Sequence, residues 1–249
     1  MAFSFFCKFL LMIFLALPGV SAAEKLMLYT EHFPPFNYEE RGQITGSNTE
    51  ILRQLCQRAE VDCQFELYPW RRAFDSALSN HNGGLFSTSR SRDREALFQW
   101  VGPLAYNRPY LYRLKSRPEI QVKHLNDAKK YMIAVARGDV FEEYFLTLGF
   151  EHGQHLLDFE SKSAATPLFL QGRVDLMVSS ELVMPVWLAQ YQQSMEVVEA
   201  VIALDEIAGN YLALHPKVPV ELVQRLQNEL DKMRLSGEFD AIVQRFQVE

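Results

Sequence analysis

Cysteine is scarce in this chain: three residues among 249, at Cys7, Cys56 and Cys63. No further ligands stand at zinc spacing around the later pair, so a structural metal site is not expected. Basic residues are in the minority, 25 Lys and Arg against 31 Asp and Glu, with a formal charge of -6 and no basic run. That balance excludes nucleic acid and anionic membrane surfaces as expected partners. Past Leu17 no apolar run approaches the roughly 20 residues that a spanning helix needs. No glycine-rich phosphate loop and no serine-hydrolase elbow occurs. His152 and His155 are three apart, but Gly153 between them marks a loop and no carboxylate completes a ligand set. They read as solvated histidines, and no metal or cofactor is expected. Repeats and low-complexity segments are absent as well.

What is present begins with a leader. Lys8 precedes the apolar run Phe9 to Leu17, Pro18-Gly19 breaks it, and Ser21-Ala22-Ala23 offers small residues for cleavage before Glu24. This is the pattern of a secretory signal over residues 1–23, and the run is too short for a membrane anchor. No cysteine follows it at the acylation position, so lipid anchoring is not expected. Removing Lys8 moves the formal charge from -6 to -7 over the 226 residues that follow the leader. Export also places Cys56 and Cys63, seven apart, where oxidation is permitted. A disulfide is the expected state and two buried thiols the alternative. A loop this short gives about 2 to 3 kcal/mol in the chain-entropy model.

The exported part alternates short β-like runs with amphipathic stretches, the pattern of sheets covered by helices. A first block reads as strand Leu26 to Thr30, a loop through Pro34-Pro35, a helix opened by the capping box Ser47-Asn48-Thr49-Glu50, strand Val61 to Tyr68 and helix Trp70 to Leu78. A second block runs from about Tyr131 to Val201: strand Tyr131 to Ala136, helix Val140 to Leu148, helix Ala164 to Gln171, strand Val174 to Val178, helix Glu181 to Tyr191. The extended aromatic run Pro109 to Leu114, with the turn Lys115-Ser116-Arg117-Pro118 behind it, reads as a crossing between lobes. Two closing helices carry the stripes Leu222, Leu226, Leu230, Met233 and Phe239, Ile242, Val243, Phe246, read as core-facing.

Three segments carry a family resemblance: Leu28 to Phe36, with an acidic residue and an aromatic turn after the first strand; Ser87 to Pro103, where a hydroxyl-rich loop leads to Arg94-Glu95 and a strand; and Gln171-Gly172-Arg173-Val174-Asp175-Leu176-Met177-Val178. In this order they resemble the periplasmic solute-binding proteins of the polar amino-acid type, extracellular solute-binding protein family 3, over essentially the whole exported part. The resemblance implies an α/β, two-lobed periplasmic-binding-protein-like fold of type II, whose lobes close by a hinge on a small ligand. The expected lobes are 24–112 with 203–249, and 113–202. It also implies a monomer of the Gram-negative periplasm that delivers a small polar, carboxylate-bearing ligand, an amino acid or derivative, to an inner-membrane permease. The alternative is presentation of that ligand to a membrane signalling partner.

Carried over residue by residue, Arg94 stands where the family grips the ligand carboxylate, a task suited to the planar guanidinium fork. Ser87 and Ser89 stand where hydroxyl and backbone groups assist it. Glu31 falls near an acidic position suited to a ligand ammonium, Phe33 supplies an apolar wall, and Trp70 opens a helix at the cleft. The second lobe departs from the family pattern. Ser179-Ser180 and then Glu181 stand where an Asp for the ammonium is usual, and Ser180 and Glu181 are both open as its replacement. Arg137-Gly138-Asp139 stands where a Gly with hydroxyl donors is usual, making Arg137 a candidate for a second anionic group or for a contact at the next helix. Some relatives are dehydratases, but Glu31 and His32 are adjacent loop residues that point apart, and no nucleophile pairs with a base. A binding protein rather than an enzyme is expected.

Overall fold

Two five-stranded sheets carry the molecule, and the chain passes between them twice. The computed structural model describes residues 24–207 and 209–246, so the expected leader lies outside the described residues. The first lobe opens with β1 (Lys25–Thr30), a hairpin of β2 (Tyr38–Glu40) and β3 (Gln43–Thr45), α1 (Ser47–Arg58), β4 (Asp62–Leu67), α2 (Trp70–Ser79), β5 (Gly83–Thr88) and β6 (Gln99–Ala105). The second holds β7 (Pro109–Leu114), β8 (Ile133–Ala136), α3 (Val140–Thr147), β9 (Leu156–Phe159), α4 (Thr166–Leu170), β10 (Leu176–Ser180), α5 (Met184–Ala189) and β11 (Val198–Ala203). The chain then returns with β12 (Asn210–Leu214), α6 (Val220–Leu235) and α7 (Glu238–Gln244).

The first sheet runs β4-β1-β5-β12-β6 and the second β11-β7-β10-β8-β9. Strands joined through helices are parallel, β4 to β1 to β5 and β9 to β8 to β10, whereas β12, β6, β7 and β11 enter antiparallel. Helices cover both faces of the parallel strands, which is why β5 and β8 are buried along their whole length and carry no alternation. The stripe Leu222, Leu226, Leu230 and Met233 of α6 packs with Phe239 and Ile242 of α7 onto Leu26, Leu28, Phe86 and Leu212 of the first sheet. Cys56 at the end of α1 is bonded to Cys63 in β4, as expected.

Three boundaries differ from the sequence reading, each for a local reason. The capping box does not form, because Ser47 is already inside α1 and Gly46 stands before it at φ 115°. A Cβ at Gly46 would lie 2.4 Å from the Phe36 carbonyl oxygen, so this helix start needs glycine and the Ser47 side chain caps nothing. The β7 strand pairs with β10 and β11, so the first crossing lies at residues 106–108, ahead of the aromatic run. The return begins after β11, and Arg108 straps the two crossings together through Asp205 at 2.6 and 2.7 Å. Finally, α5 starts at Met184, because Pro185 fits only the first turn of a helix. The preceding strand therefore reaches Ser180, which places both serines of β10 indoors.

Candidate functional site

The two lobes face each other across the ends of β1, β5, β8 and β10, the usual place for a ligand in open α/β sheets. On the first lobe, β1 ends in Thr30 and delivers Glu31 and Phe33, both buried. Asn37 holds this loop by donating from Nδ2 to the Glu31 carbonyl. The end of β5 bends at Ser87, whose φ of 58° is unusual for a residue with a side chain and marks a constrained position. Its hydroxyl accepts from Asn48 Nδ2 at 2.8 Å. Thr88 next to it accepts from Arg94 Nη1 at 3.1 Å.

Arg94 is only 2% exposed, and its partners come from both lobes. Nε and Nη2 donate to the two carboxylate oxygens of Glu143 at 3.0 and 2.9 Å, a side-on fork. Nη2 also donates to the Gly138 carbonyl at 3.1 Å. The guanidinium lies 5.3 Å from the ring centres of both Trp70 and Phe74. Glu143, on α3 of the second lobe, is 35% exposed: a carboxylate reaching in from the rim. Trp70 closes the same seam by donating from its indole nitrogen to Gly138 O at 2.6 Å. Gly138 has φ 70°, a left-handed turn after β8 that aims its carbonyl at the first lobe.

Beside this arginine lies a second charged group. Lys162, from the loop between β9 and α4, places Nζ 2.9 Å from Asp139 and in contact with Glu31 of the opposite lobe. The same ammonium sits 4.7 Å from the Trp70 ring centre and 5.1 Å from that of Phe33. Burial drives the Glu31 carboxyl up from the usual range, and the Lys162 ammonium offsets this only in part. Burial acts on Asp139 in the same sense, but Lys162, Arg94 and the bond from the Phe141 amide outweigh it and hold that carboxyl low. Lys162 loses hydration as well, yet Asp139 and Glu31 together keep its pKa above the ordinary lysine value. The three form a buried ion cluster that joins the lobes, with Glu31 the first member to take up a proton as pH falls.

Two cavities flank this cluster and share Phe33, Asp139 and Lys162 in their walls. The one at Arg94, about 30 Å³, is lined also by Trp70, Ser87 and Ser89. The one in the second lobe, about 50 Å³, is lined by Ala134, Ala136, Val183 and Trp187 and by the serines of β10. Both Ser179 and Ser180 are buried there, and neither hydroxyl has a hydrogen-bond partner among the described residues.

The structure thus brings Arg94, Ser87, Ser89, Phe33 and Trp70 to one cavity, sets Ser180 on the other, and places Glu31 behind both against Lys162. Arg137 is not among them. Its side chain, just past the end of β8, is 69% exposed and bonded to Asp158 of the edge strand β9, clear of both cavities. Glu181 is exposed at the turn before α5, clear of both cavities. No sequence signal marks Lys162, Glu143 or Thr88 as site residues. Lys162 sits in a loop without a motif, and Glu143 reads as an ordinary acidic residue in a helix's first turn. Asp139 caps α3 through the Phe141 amide at 3.1 Å, a visible signal that points to helix capping rather than to a cleft.

Against known proteins, residues 26–249 match the model of bacterial extracellular solute-binding proteins, family 3. The amino-acid-binding protein AabA of Dichelobacter nodosus is 22% identical over 220 residues, covering 88% of this chain and 85% of that protein. The arginine-binding periplasmic protein of Mannheimia haemolytica is 23% identical over 235 residues, covering 90% of this chain and 91% of the relative. Among solved structures, a histidine kinase sensor domain with similarity to periplasmic binding proteins superposes with a TM-score of 0.79 at 18% identity, covering 90% of this chain and 96% of that one. At that identity the likeness establishes the two-lobed fold alone.

Proposed function

The chain belongs to the bacterial extracellular solute-binding proteins, family 3, and we propose that it captures a carboxylate-bearing ligand, the size of an amino acid or a derivative, between its lobes. The observation that carries this reading is Arg94. A guanidinium 2% exposed, forked onto a carboxylate that belongs to the opposite lobe, is a carboxylate receptor whose occupancy joins the lobes. Its present occupant, Glu143, is tethered at the rim and 35% exposed, so an incoming ligand can take its place while Glu143 returns to water. Thr88, Ser87 and Ser89 then face the ligand's head group, and Phe33 and Trp70 wall its body. Cavities of about 30 and 50 Å³ do not hold such a molecule, so entry requires the lobes to part about the two crossings, after β6 and after β11.

In this reading the protein works in the periplasm and hands its ligand to an inner-membrane permease for ABC-type uptake. Support comes from the two relatives, one named an amino-acid-binding protein and the other an arginine-binding periplasmic protein. Catalysis is not part of it: the buried acids Glu31 and Asp139 are both engaged by Lys162, which leaves neither placed as a general base. The test is a thermal-shift panel of amino acids, 2-oxo acids and dicarboxylates on the purified exported protein. A ligand at about 100 times its Kd adds about 2.7 kcal/mol of stability, which at this size is a rise of several degrees. No rise with any carboxylate would overturn the proposal.

A further inference from the structure

The ion cluster beside Arg94 bears on what kind of carboxylate can enter. A zwitterionic ligand brings an ammonium within a few ångströms of its carboxylate, and a buried ammonium needs an anionic partner. Two buried acids stand at this part of the cleft, Asp139 in its wall and Glu31 behind it, at 4% and 3% exposure. Lys162 holds both, and the faces of Phe33 and Trp70 complete a cage of two carboxylates and two rings around its ammonium. The cation position is therefore filled by the chain itself. A second cation beside it would meet a like charge, and both buried carboxylates are already engaged by Lys162. Apart from Lys162 and Asp139 the walls of the second cavity are neutral. The 50 Å³ cavity offers Ala134, Ala136, Val183 and Trp187 for apolar contact, and the unpartnered hydroxyls of Ser179 and Ser180 for an uncharged polar group.

We propose that the ligand is a carboxylate without an ammonium, a 2-oxo acid or similar deaminated acid with an apolar body, and that Lys162 sets this preference by occupying the cation position. The inference rests on the reading of Arg94 as the carboxylate receptor. Lys162 and the ligand then divide between them the two charges that a zwitterion would bring alone: the ligand carboxylate replaces Glu143 on Arg94, and the Lys162 ammonium stays with Glu31 and Asp139. No proton or covalent bond changes hands. The apolar body extends past Phe33 into the second lobe, and the oxo oxygen or another neutral group is received by serine hydroxyls.

Calorimetric titration of the exported protein with matched pairs tests this: leucine against 4-methyl-2-oxopentanoate, phenylalanine against phenylpyruvate, with arginine as a cationic control. The expected result is that at least one oxo acid binds at least tenfold more tightly than its amino acid, and that arginine gives no heat of binding. If an amino acid binds as tightly as its oxo partner, or more tightly, the proposal is overturned while the carboxylate-receptor reading stands. If no member of any pair binds, this proposal falls, and the wider thermal-shift panel decides the carboxylate-receptor reading separately. In Lys162→Met, a change of similar volume that empties the cage, the ratio is expected to shift at least tenfold toward the amino acid. An unchanged ratio in the folded variant would remove Lys162 as its cause. Should that variant fail to fold, the wild-type pairs decide alone.

Discussion

Glu143→Gln is the perturbation whose consequences follow most directly from the geometry, because one lost interaction is read twice with opposite signs. Glu143 meets Arg94 through two hydrogen bonds of 3.0 and 2.9 Å, one partner fully enclosed and the other 35% exposed. Two unit charges about 4 Å apart attract by about 4 kcal/mol at an effective dielectric constant of about 20. Partial solvation of Glu143 and the ordering of its side chain, about 1.5 kcal/mol, offset much of this. Glutamine keeps the shape and one acceptor oxygen, so the charge contributes about 2 kcal/mol to lobe closure. Without ligand, Glu143→Gln should lower the ratio of closed to open molecules by about 30-fold, since about 1.4 kcal/mol corresponds to a factor of 10. Small-angle scattering reads that change as a larger radius of gyration. A carboxylate ligand, in contrast, no longer displaces an internal competitor, and its affinity should rise by up to the same 30-fold factor in calorimetric titration. Unchanged affinity would show that Glu143 does not compete for Arg94. Weaker binding would show that it holds the ligand instead, and would refute the reasoning.

Two further perturbations address the frame and the ion cluster. Replacing Cys56 and Cys63 together by serine removes a link across seven residues; the chain-entropy model assigns it about 2.5 kcal/mol, and the melting temperature should fall by about 5 to 10 °C, with a change below one degree contradicting that assignment. In Glu31→Gln the sign follows from the direction of its shift. Burial raises the Glu31 carboxyl, so the folded state binds that proton more tightly than the unfolded chain, and the associated stability is present in acid and lost as pH rises through the folded value. The variant should therefore melt higher than wild type at pH 7 to 8, and the difference should shrink toward pH 4. A variant that melts lower at neutral pH would mean that the Glu31 and Lys162 contact outweighs the desolvation of the acid.

Much of the frame is legible in the residues, since periodicity reports burial directly. The stripes of α6 and α7, the parallel blocks of both lobes and the Cys56–Cys63 link follow from patterns of the kind that packing imposes. Boundaries are less legible where one residue's backbone decides. Gly46 displaces the capping box by its left-handed conformation, and Pro185 shortens α5 so that Ser180 ends a strand. Within the site, Arg94 stands out because a motif surrounds it, and Phe33 and Trp70 because aromatic residues beside prolines are conspicuous. Lys162 and Glu143 do not stand out. Their importance lies in partners 131 and 49 residues away in sequence, and no local pattern encodes a contact between lobes. Arg137 shows the converse: it lies in a segment that resembles a binding loop, while Asp158 of β9 holds its side chain at the surface.

The central claim is that Arg94 receives a ligand carboxylate between the lobes. Its most direct test is calorimetric titration of wild type and Arg94→Ala with the same carboxylate, taken from whichever compound gives the largest thermal shift. Losing two charge-assisted hydrogen bonds, about 1.5 to 3 kcal/mol each, should weaken binding by at least 100-fold. If the two proteins bind that carboxylate with the same Kd, Arg94 is not its receptor.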